Sequence, residues 1–342
     1  MPQSQTVPVI LYRYQASPYS TKIDNVLILK GIAYSQVDVA PALPRPEITD
    51  FLGVTYRRIP ILAIGNDIYC DTRQDAVCEH LIVTALERHF PAAHYGTIFP
   101  KAKVTGKIDS GLAQALSHYG ESAIFPPAVT LLPWDKMPAS FVQDRSLLSG
   151  APINPASIIA SRGVSLSTLS SHLQLLEEQL SDGREWLLNT EQPSLVDLSF
   201  HFIFTWLRQF PAGRPLFETG EFPHVNNWLA HFSSVLESRR QEQRPPPLIS
   251  GQEAAQIIVS SHSEPLNNVG FDSLEASRLG VRENDIVSVA PVDTGRNYPT
   301  VGNLVALGKR ELVVEVKGSH GVARCHFPRL GFSLKPAAKS QL

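Results

Sequence analysis

Val9-Ile-Leu-Tyr-Arg-Tyr14, then Gln15-Ala-Ser-Pro-Tyr-Ser20, then Thr21 to Lys30: this stretch decides how the chain begins to fold. The first run is β-branched and aromatic and predicts a short buried strand. Ile23, Val26 and Leu27, with Leu29, recur at helical spacing after Ser17-Pro18, a good N-cap followed by a residue suited to the first helical position. Gly31 predicts the helix stop. Working outward, Tyr34 to Val39 reads as a second strand and Pro41 to Pro46 as a proline-rich connector. Pro60 to Ile64 and Ile68 to Cys70 read as strands around the turn Gly65-Asn66-Asp67. Asp71-Thr72 opens a helix that runs toward Phe90 and stops at Pro91. The order is β-α-β, a loop or helix, then β-β-α. A crossover makes the first pair parallel, and the short turn makes the last pair antiparallel.

At 342 residues the chain is long enough for two or three cores. From Tyr95 to about Phe232 the period is helical. Leu166 to Leu180 repeats apolar residues at i, i+3 and i+4, Trp186-Leu-Leu188 is apolar, and Leu195 to Phe210 is apolar nearly all round, which predicts a buried central helix. Arg239 to Pro247, ending in Pro245-Pro-Pro247, reads as an exposed, extended linker. Beyond it the period becomes that of strands at Ile257-Ile-Val259, Asp285 to Val289, Gly302 to Leu307, Glu311 to Val316 and Val322 to Phe327, with turns at Gly280, Gly308, Gly318 and Gly321. Residues 250 to 336 therefore read as a small, separate β-rich domain.

Composition excludes several classes. With 43% hydrophobic and 18% charged residues the balance is globular, and a formal net charge of -2 argues against a nucleic-acid partner. No 18-residue apolar run predicts a membrane-spanning helix, and Met1 to Thr6 lacks the pattern of a secretory leader. The 3 cysteines, Cys70, Cys78 and Cys325, form no C-x-x-C pair and fit a reducing compartment, so the expected location is the cytoplasm. The 11 histidines show no metal-ligand spacing, so no metal is expected.

Three corners could carry chemistry. Ser17 caps a helix start, a plain structural role, but the same terminus offers unpaired N–H groups, a positive dipole end and a hydroxyl, which together lower a thiol pKa. Arg58-Ile59-Pro60 precedes a strand. A trans proline there is ordinary, whereas a cis bond would turn the Ile59 N–H and C=O outward to pair with an extended peptide. Thr72-x-x-Asp75 reads as a capping box. The Thr72 hydroxyl and nearby N–H groups could equally hold a carboxylate, with Asp71 facing an ammonium group; a γ-glutamyl end supplies both charges. Elsewhere, Phe200 to Phe210 with Trp206 reads as core, and Cys70 and Cys78 as incidental thiols.

Taken in this order, Ser17, Ile59-Pro60 and Asp71-Thr72 resemble the serine, cis-proline and acid-hydroxyl motifs of the glutathione transferase family, within a stretch from Val9 to Phe90 that looks like its thioredoxin-like N-terminal domain. Leu43-Pro-Arg-Pro46, Tyr56-Arg-Arg-Ile-Pro-Ile-Leu-Ala-Ile-Gly65 and Tyr69-Cys-Asp-Thr-Arg73 look like a fungal branch of glutathione transferase-like proteins that carries a C-terminal extension of this type. Ser194-Leu-Val-Asp197 and Phe222-Pro-His-Val-Asn-Asn-Trp228 resemble structural motifs of the family's helical domain. The sequence departs from the family pattern at Gln74-Asp75, where an apolar pair usually enters the helix.

The resemblance implies a thioredoxin-like domain over 7–92, an all-helical domain over 93–243 and a β-rich extension over 250–338. It implies Ser17 as the catalytic residue, Arg58, Ile59, Pro60, Asp71 and Thr72 as the glutathione-binding residues, and glutathione as substrate or cosubstrate. Serine, rather than cysteine, at position 17 argues for activating the glutathione thiol toward a small electrophile. Conjugation, isomerisation and elimination all remain open, with secondary metabolism a fitting setting and a homodimer compatible. A non-catalytic binding or scaffold protein is the alternative.

Overall fold

The computed structural model describes residues 7–70 and 81–337. Strand β1 (Val9–Arg13) leads into helix α1 (Pro18–Lys30), and β2 (Ser35–Asp38) follows by the expected crossover. Helix α2 (Pro46–Leu52) fills the proline-rich connection, and β3 (Ile61–Ile64), β4 (Asp67–Cys70) and α3 (Leu81–His89) complete the N-terminal part. β1 runs parallel to β2 and antiparallel to β3, and β3 is antiparallel to β4.

The helical part comprises α4 (Ser110–Tyr119), α5 (Phe125–Val129), α6 (Ala139–Ser149), α7 (Pro155–Ala160), α8 (Arg162–Leu180), α9 (Leu195–Leu207), α10 (Pro215–Glu218) and α11 (Pro223–Gln241). A π-helical turn, Gly120–Ile124, joins α4 to α5. As the apolar run predicts, α9 is buried on nearly every side, from Leu195 through Phe204. Its N-terminus carries a complete capping box between Ser194 and Asp197. The Asp197 carboxylate also accepts from the Leu187 N–H at 2.9 Å and from Trp228 Nε1 at 3.1 Å, tying α9 to α11.

After the exposed Pro245 the chain forms α12 (Gly251–Ser260) and α13 (Ser273–Leu279), then β5 (Ile286–Pro291), β6 (Thr300–Leu307), β7 (Glu311–Lys317), β8 (Val322–Pro328) and β9 (Phe332–Pro336). One expectation is corrected here. Ile257-Ile-Val259 is not a strand but the last turn of α12. The Ser250 side chain caps that helix by accepting from the Glu253 N–H, and Ala254, Ala255 and Ile258 form its buried stripe. A start signal followed by helical spacing outweighs the β preference of three branched residues.

A second finding concerns the separate β-rich unit. Among the described residues the strands form one sheet of nine, in the order β2-β1-β3-β4-β8-β7-β6-β5-β9. The join is a parallel pairing of β4 with β8, Ile68 opposite Cys325 and Tyr69 opposite His326. The cores agree with this continuity. Along β1, Val9 and Leu11 belong to the core of the helical part, while Ile10 and Tyr12 belong to the core shared by α2, α12 and the C-terminal strands. β3 repeats the alternation, with Leu62 and Ile64 on one side and Ile61 and Ala63 on the other. The N-terminal sheet is thus a wall between two cores, buried on both faces. The C-terminal strands also finish α2. The main-chain N–H groups of Ser319 and His320, in the β7–β8 turn, donate to the carbonyls of Asp50 and Phe51 at 2.8 and 3.3 Å. Those carbonyls lie in the last turn of α2, where intrahelical partners run out. Gly318 is required at that contact, because a Cβ there would lie 2.1 Å from the Phe51 carbonyl oxygen.

Candidate functional site

The register collects the candidate corners at one end of the sheet. Arg13 ends β1 opposite Asp38, Tyr12 lies opposite Ile61, and Ile61 lies opposite Cys70. The chain leaving β1, entering β3 and leaving β4 therefore meets at the same edge. Ser17 lies on the first of these connections and Ile59-Pro60 on the second. Asp71 and Thr72 lie outside the described residues, as do Gln74-Asp75 and Cys78.

Ser17 is the N-cap of α1. Its backbone is extended, at φ -79° and ψ 116°, and Pro18 takes the first helical position. The Ser17 Oγ accepts from the Ser20 N–H at 3.2 Å, and the Ser17 N–H donates to the Tyr14 carbonyl at 3.0 Å. An oxygen used as acceptor leaves the hydroxyl proton for another partner. Ser17 is 2% exposed. Beside it, Tyr19 packs edge-on against Phe125 and tilts against Phe202, with centroids 4.8 and 5.2 Å away, so the start of α1 is seated against the helical part. Lys22, one turn on, is ion-paired with Glu121 of the π-helical turn.

The Ile59–Pro60 peptide bond is cis, as is Leu43–Pro44, which the sequence did not suggest. Among the described residues, no turn, loop or cap hydrogen bond uses the Ile59 N–H or C=O. Arg58 has a protein partner. Its Nη2 is ion-paired with Asp293 and donates to the Thr294 carbonyl, both in the β5–β6 loop. Arg57 pairs with Asp144 of α6 at 2.7 Å and lies over the Tyr298 ring. Arg45 donates to the carbonyls of Ala40, Pro41 and Arg57 and thereby folds the connector against the same segment.

A second polar cluster, which the sequence reading did not single out, lies buried at the β4–β8 seam. His326 donates from Nε2 to Asp67 at 2.9 Å and from Nδ1 to Glu311 at 2.5 Å. Burial works against its charge, but the two carboxylates outweigh burial and hold its pKa up at about 9. Glu264 receives Arg88 through both oxygens, at 2.6 and 2.9 Å, and accepts from Tyr69 and Asn268. Burial would raise its pKa; the Arg88 and Asn268 hydrogen bonds prevail and hold it down at about 2. Glu264, Glu311 and His326 can each offer one ligand atom within 4.8 Å of the others. A protonated imidazole is not a metal ligand, and Arg88 already neutralises Glu264, so a cation would have to displace a proton and compete with a guanidinium. The one local hint in the sequence is His326, which alternates with Cys325 and Phe327 on a strand otherwise rich in apolar residues.

A small cleft of ≈ 50 Å³ is lined by Phe99, Lys107, Asp109, Leu112, Leu188 and Ser194, and neither Ser17 nor Ile59 is among its lining residues. No described helix is long and apolar enough to cross a membrane.

Comparison with known proteins places these features. Residues 11–89 match the family described as glutathione S-transferase, N-terminal domain, and residues 122–241 match a domain of unknown function, DUF7962. No curated protein matches the chain. Among solved structures, a GST-like protein from Pseudomonas syringae is similar at 24% identity and a TM-score of 0.70, over 96% of this chain and 99% of that one. A beta-etherase from Sphingobium is similar at 15% identity and a TM-score of 0.50, over 69% of this chain and 99% of that one. The first likeness covers nearly the whole chain, so the fold as a whole is shared. Residues 11–89 thus match the N-terminal domain of glutathione S-transferases, in a chain that shares its fold with a GST-like protein.

Proposed function

We propose that the chain is a glutathione S-transferase-like enzyme that activates the glutathione thiol for attack on a small electrophile. Glutathione lies along the Ile59 edge, its main chain paired with the Ile59 N–H and C=O beside Arg58 and Pro60, and its γ-glutamyl end reaches Asp71 and Thr72. The sulfur then lies at the start of α1. There the Ser17 hydroxyl donates to the thiolate, and the dipole of the helix terminus favours the negative charge. The thiolate sulfur forms a bond to an electrophilic carbon. Departure of a leaving group with its bonding electron pair completes conjugation, and loss of the sulfur with a neighbouring proton then makes the net result elimination; where the sulfur instead adds to a double bond without a leaving group, its expulsion with the C–S electron pair gives isomerisation.

The observation that carries this reading is the geometry of Ser17. It caps a thirteen-residue helix with its oxygen accepting from Ser20, which leaves its proton to give, at the sheet end that also holds the cis Ile59–Pro60 bond. We assign 7–92 as the glutathione-binding part, 93–243 as the helical part and 250–338 as the extension. A cytoplasmic location, a homodimer and the fungal branch belong to the same proposal. A second reading, a binding or scaffold protein without catalysis, draws on the burial of the site, since Ser17 is 2% and Ile59 7% exposed. Calorimetric titration with reduced glutathione separates the two at the first step. In a folded Ser17→Ala variant, turnover of an aromatic electrophile should fall by about 10²–10³-fold, the cost of one preorganised donor, with a smaller change in glutathione affinity. Equal turnover by variant and wild type rules Ser17 out.

A further inference from the structure

The segment that presents Ile59 is held from outside its own domain. Each residue from Thr55 to Arg58 meets the β5–β6 loop or its end. The Thr55 hydroxyl donates to the Pro299 carbonyl, and the Tyr56 N–H donates to Thr300 Oγ1 at 3.2 Å. The Arg57 guanidinium lies 4.5 Å from the Tyr298 ring centroid. Arg58 pairs with Asp293, the two side chains being 7% and 5% exposed, and also donates to the Thr294 carbonyl. The loop is anchored on its far side as well, because the Gly295 N–H donates to the Leu148 carbonyl of α6 at 2.7 Å. Gly295 has a φ of +74°, and a Cβ there would touch Arg57 and Leu148 at 3.4 and 3.5 Å. Residues 293–300 are therefore a strap laid between the approach to the cis peptide and the end of α6.

We propose that Asp293 is a positioning residue for glutathione: through Arg58 it fixes where the Ile59 main chain stands, so the strap from the C-terminal extension completes the peptide-binding edge. This rests on the proposed function. The residue next to a main-chain recognition edge has its side chain locked in a buried ion pair with a loop that lies more than two hundred residues further along the chain, at a separation of 235. Two main-chain hydrogen bonds to a peptide demand placement within a fraction of an ångström. A displacement of about 1 Å costs up to roughly a hundredfold where geometry governs the step. Asp293 touches neither the peptide nor the sulfur. Its effect should accordingly fall on affinity and leave the chemical step at Ser17 nearly intact.

The test uses the full chain and reduced glutathione. Asp293→Asn keeps the shape and removes the charge. We expect its glutathione Kd and KM to rise about tenfold or more, while kcat changes less than about threefold. Asp293→Glu, which restores the charge, should recover part of the affinity. A merely structural ion pair would lower the melting temperature and leave the Kd of the folded variant unchanged, and that result overturns the proposal. If Asp293→Asn does not fold, Tyr298→Leu, which removes the ring beneath Arg57 on the same strap, should raise the Kd in the same direction. An unchanged Kd there also overturns the proposal. Wild-type protein that binds no glutathione would defeat the proposed function itself, a result no variant can mimic.

Discussion

Replacing His326 with glutamine should flatten the alkaline limb of the stability profile. In the folded protein His326 is protonated between Asp67 and Glu311, with its pKa raised from 6.5 to about 9. A group whose folded pKa lies above its unfolded value stabilises fully below the unfolded pKa and loses that contribution as pH rises through the folded one. The difference of about 2.5 pKa units corresponds to roughly 3 kcal/mol, present at pH 6 and lost by pH 9–10. Glu264 acts in the opposite direction: with its pKa lowered to about 2, its contribution is present above the unfolded value of 4.5 and lost as pH falls toward 2. The seam should thus be firmest at about pH 5–6. The assay is urea unfolding, followed by tryptophan fluorescence, at intervals from pH 5.5 to 9.5. Wild type should lose roughly 3 kcal/mol across the range. His326→Gln should start about 3–5 kcal/mol lower at pH 6, since it leaves two carboxylates without their cation, and should show a much shallower slope. Parallel slopes in the two proteins would refute the assignment of the proton to His326.

Two further outcomes follow from the packing. Cutting after Pro247 should give an insoluble or dye-binding, aggregated fragment. The core that Ile10, Tyr12, Ile61 and Ile68 share with α12 and the C-terminal strands would be opened, at up to about 1.5–3 kcal/mol for each side chain fully exposed, against a whole domain's stability of roughly 5–15 kcal/mol; a monomeric fragment on gel filtration with a sharp near-ultraviolet spectrum would count against the shared core. Asp197→Ala should destabilise the chain by on the order of 3–5 kcal/mol in urea, because the N–H groups of Leu187, Ser194 and Trp228 Nε1 all lose their buried acceptor; a loss below about 1 kcal/mol would show that water replaces the carboxylate.

Local signals in the sequence carried the N-terminal part. Ser17-Pro18 before helical spacing, Gly31 after it and the turn at Gly65-Asn66-Asp67 each specify a backbone conformation over a few residues, and the structure has them in place. The same holds for the Ser194–Asp197 capping box. At Ile257 to Val259 the β-branched side chains point to a strand, whereas Ser250 and Ala254-Ala255 mark a helix start and its buried stripe. The pairing of β4 with β8 left no local trace. An edge strand and a paired strand share one alternating pattern, and the Asp67–His326 contact joins residues 259 apart. Arg58 was legible as a candidate because it adjoins Ile59-Pro60. Its partner Asp293 lies in a loop without periodic signal, so the strap became visible only in three dimensions.

The β4–β8 join also has a bearing on how the chain is made. A ribosome releases β4 long before β8. At roughly 5–20 residues per second, the 259 residues between Asp67 and His326 represent roughly 13–50 s of synthesis. Throughout that interval the β4 edge offers unpaired main-chain groups, and the core of Ile10, Tyr12 and Ile61 lacks every contribution from α12 and the C-terminal strands. The nascent N-terminal half is therefore an obligate waiting state. It can pair with the same half of a neighbouring chain on a polysome or be shielded by a holdase, and only the arrival of residues 322–328 ends the choice.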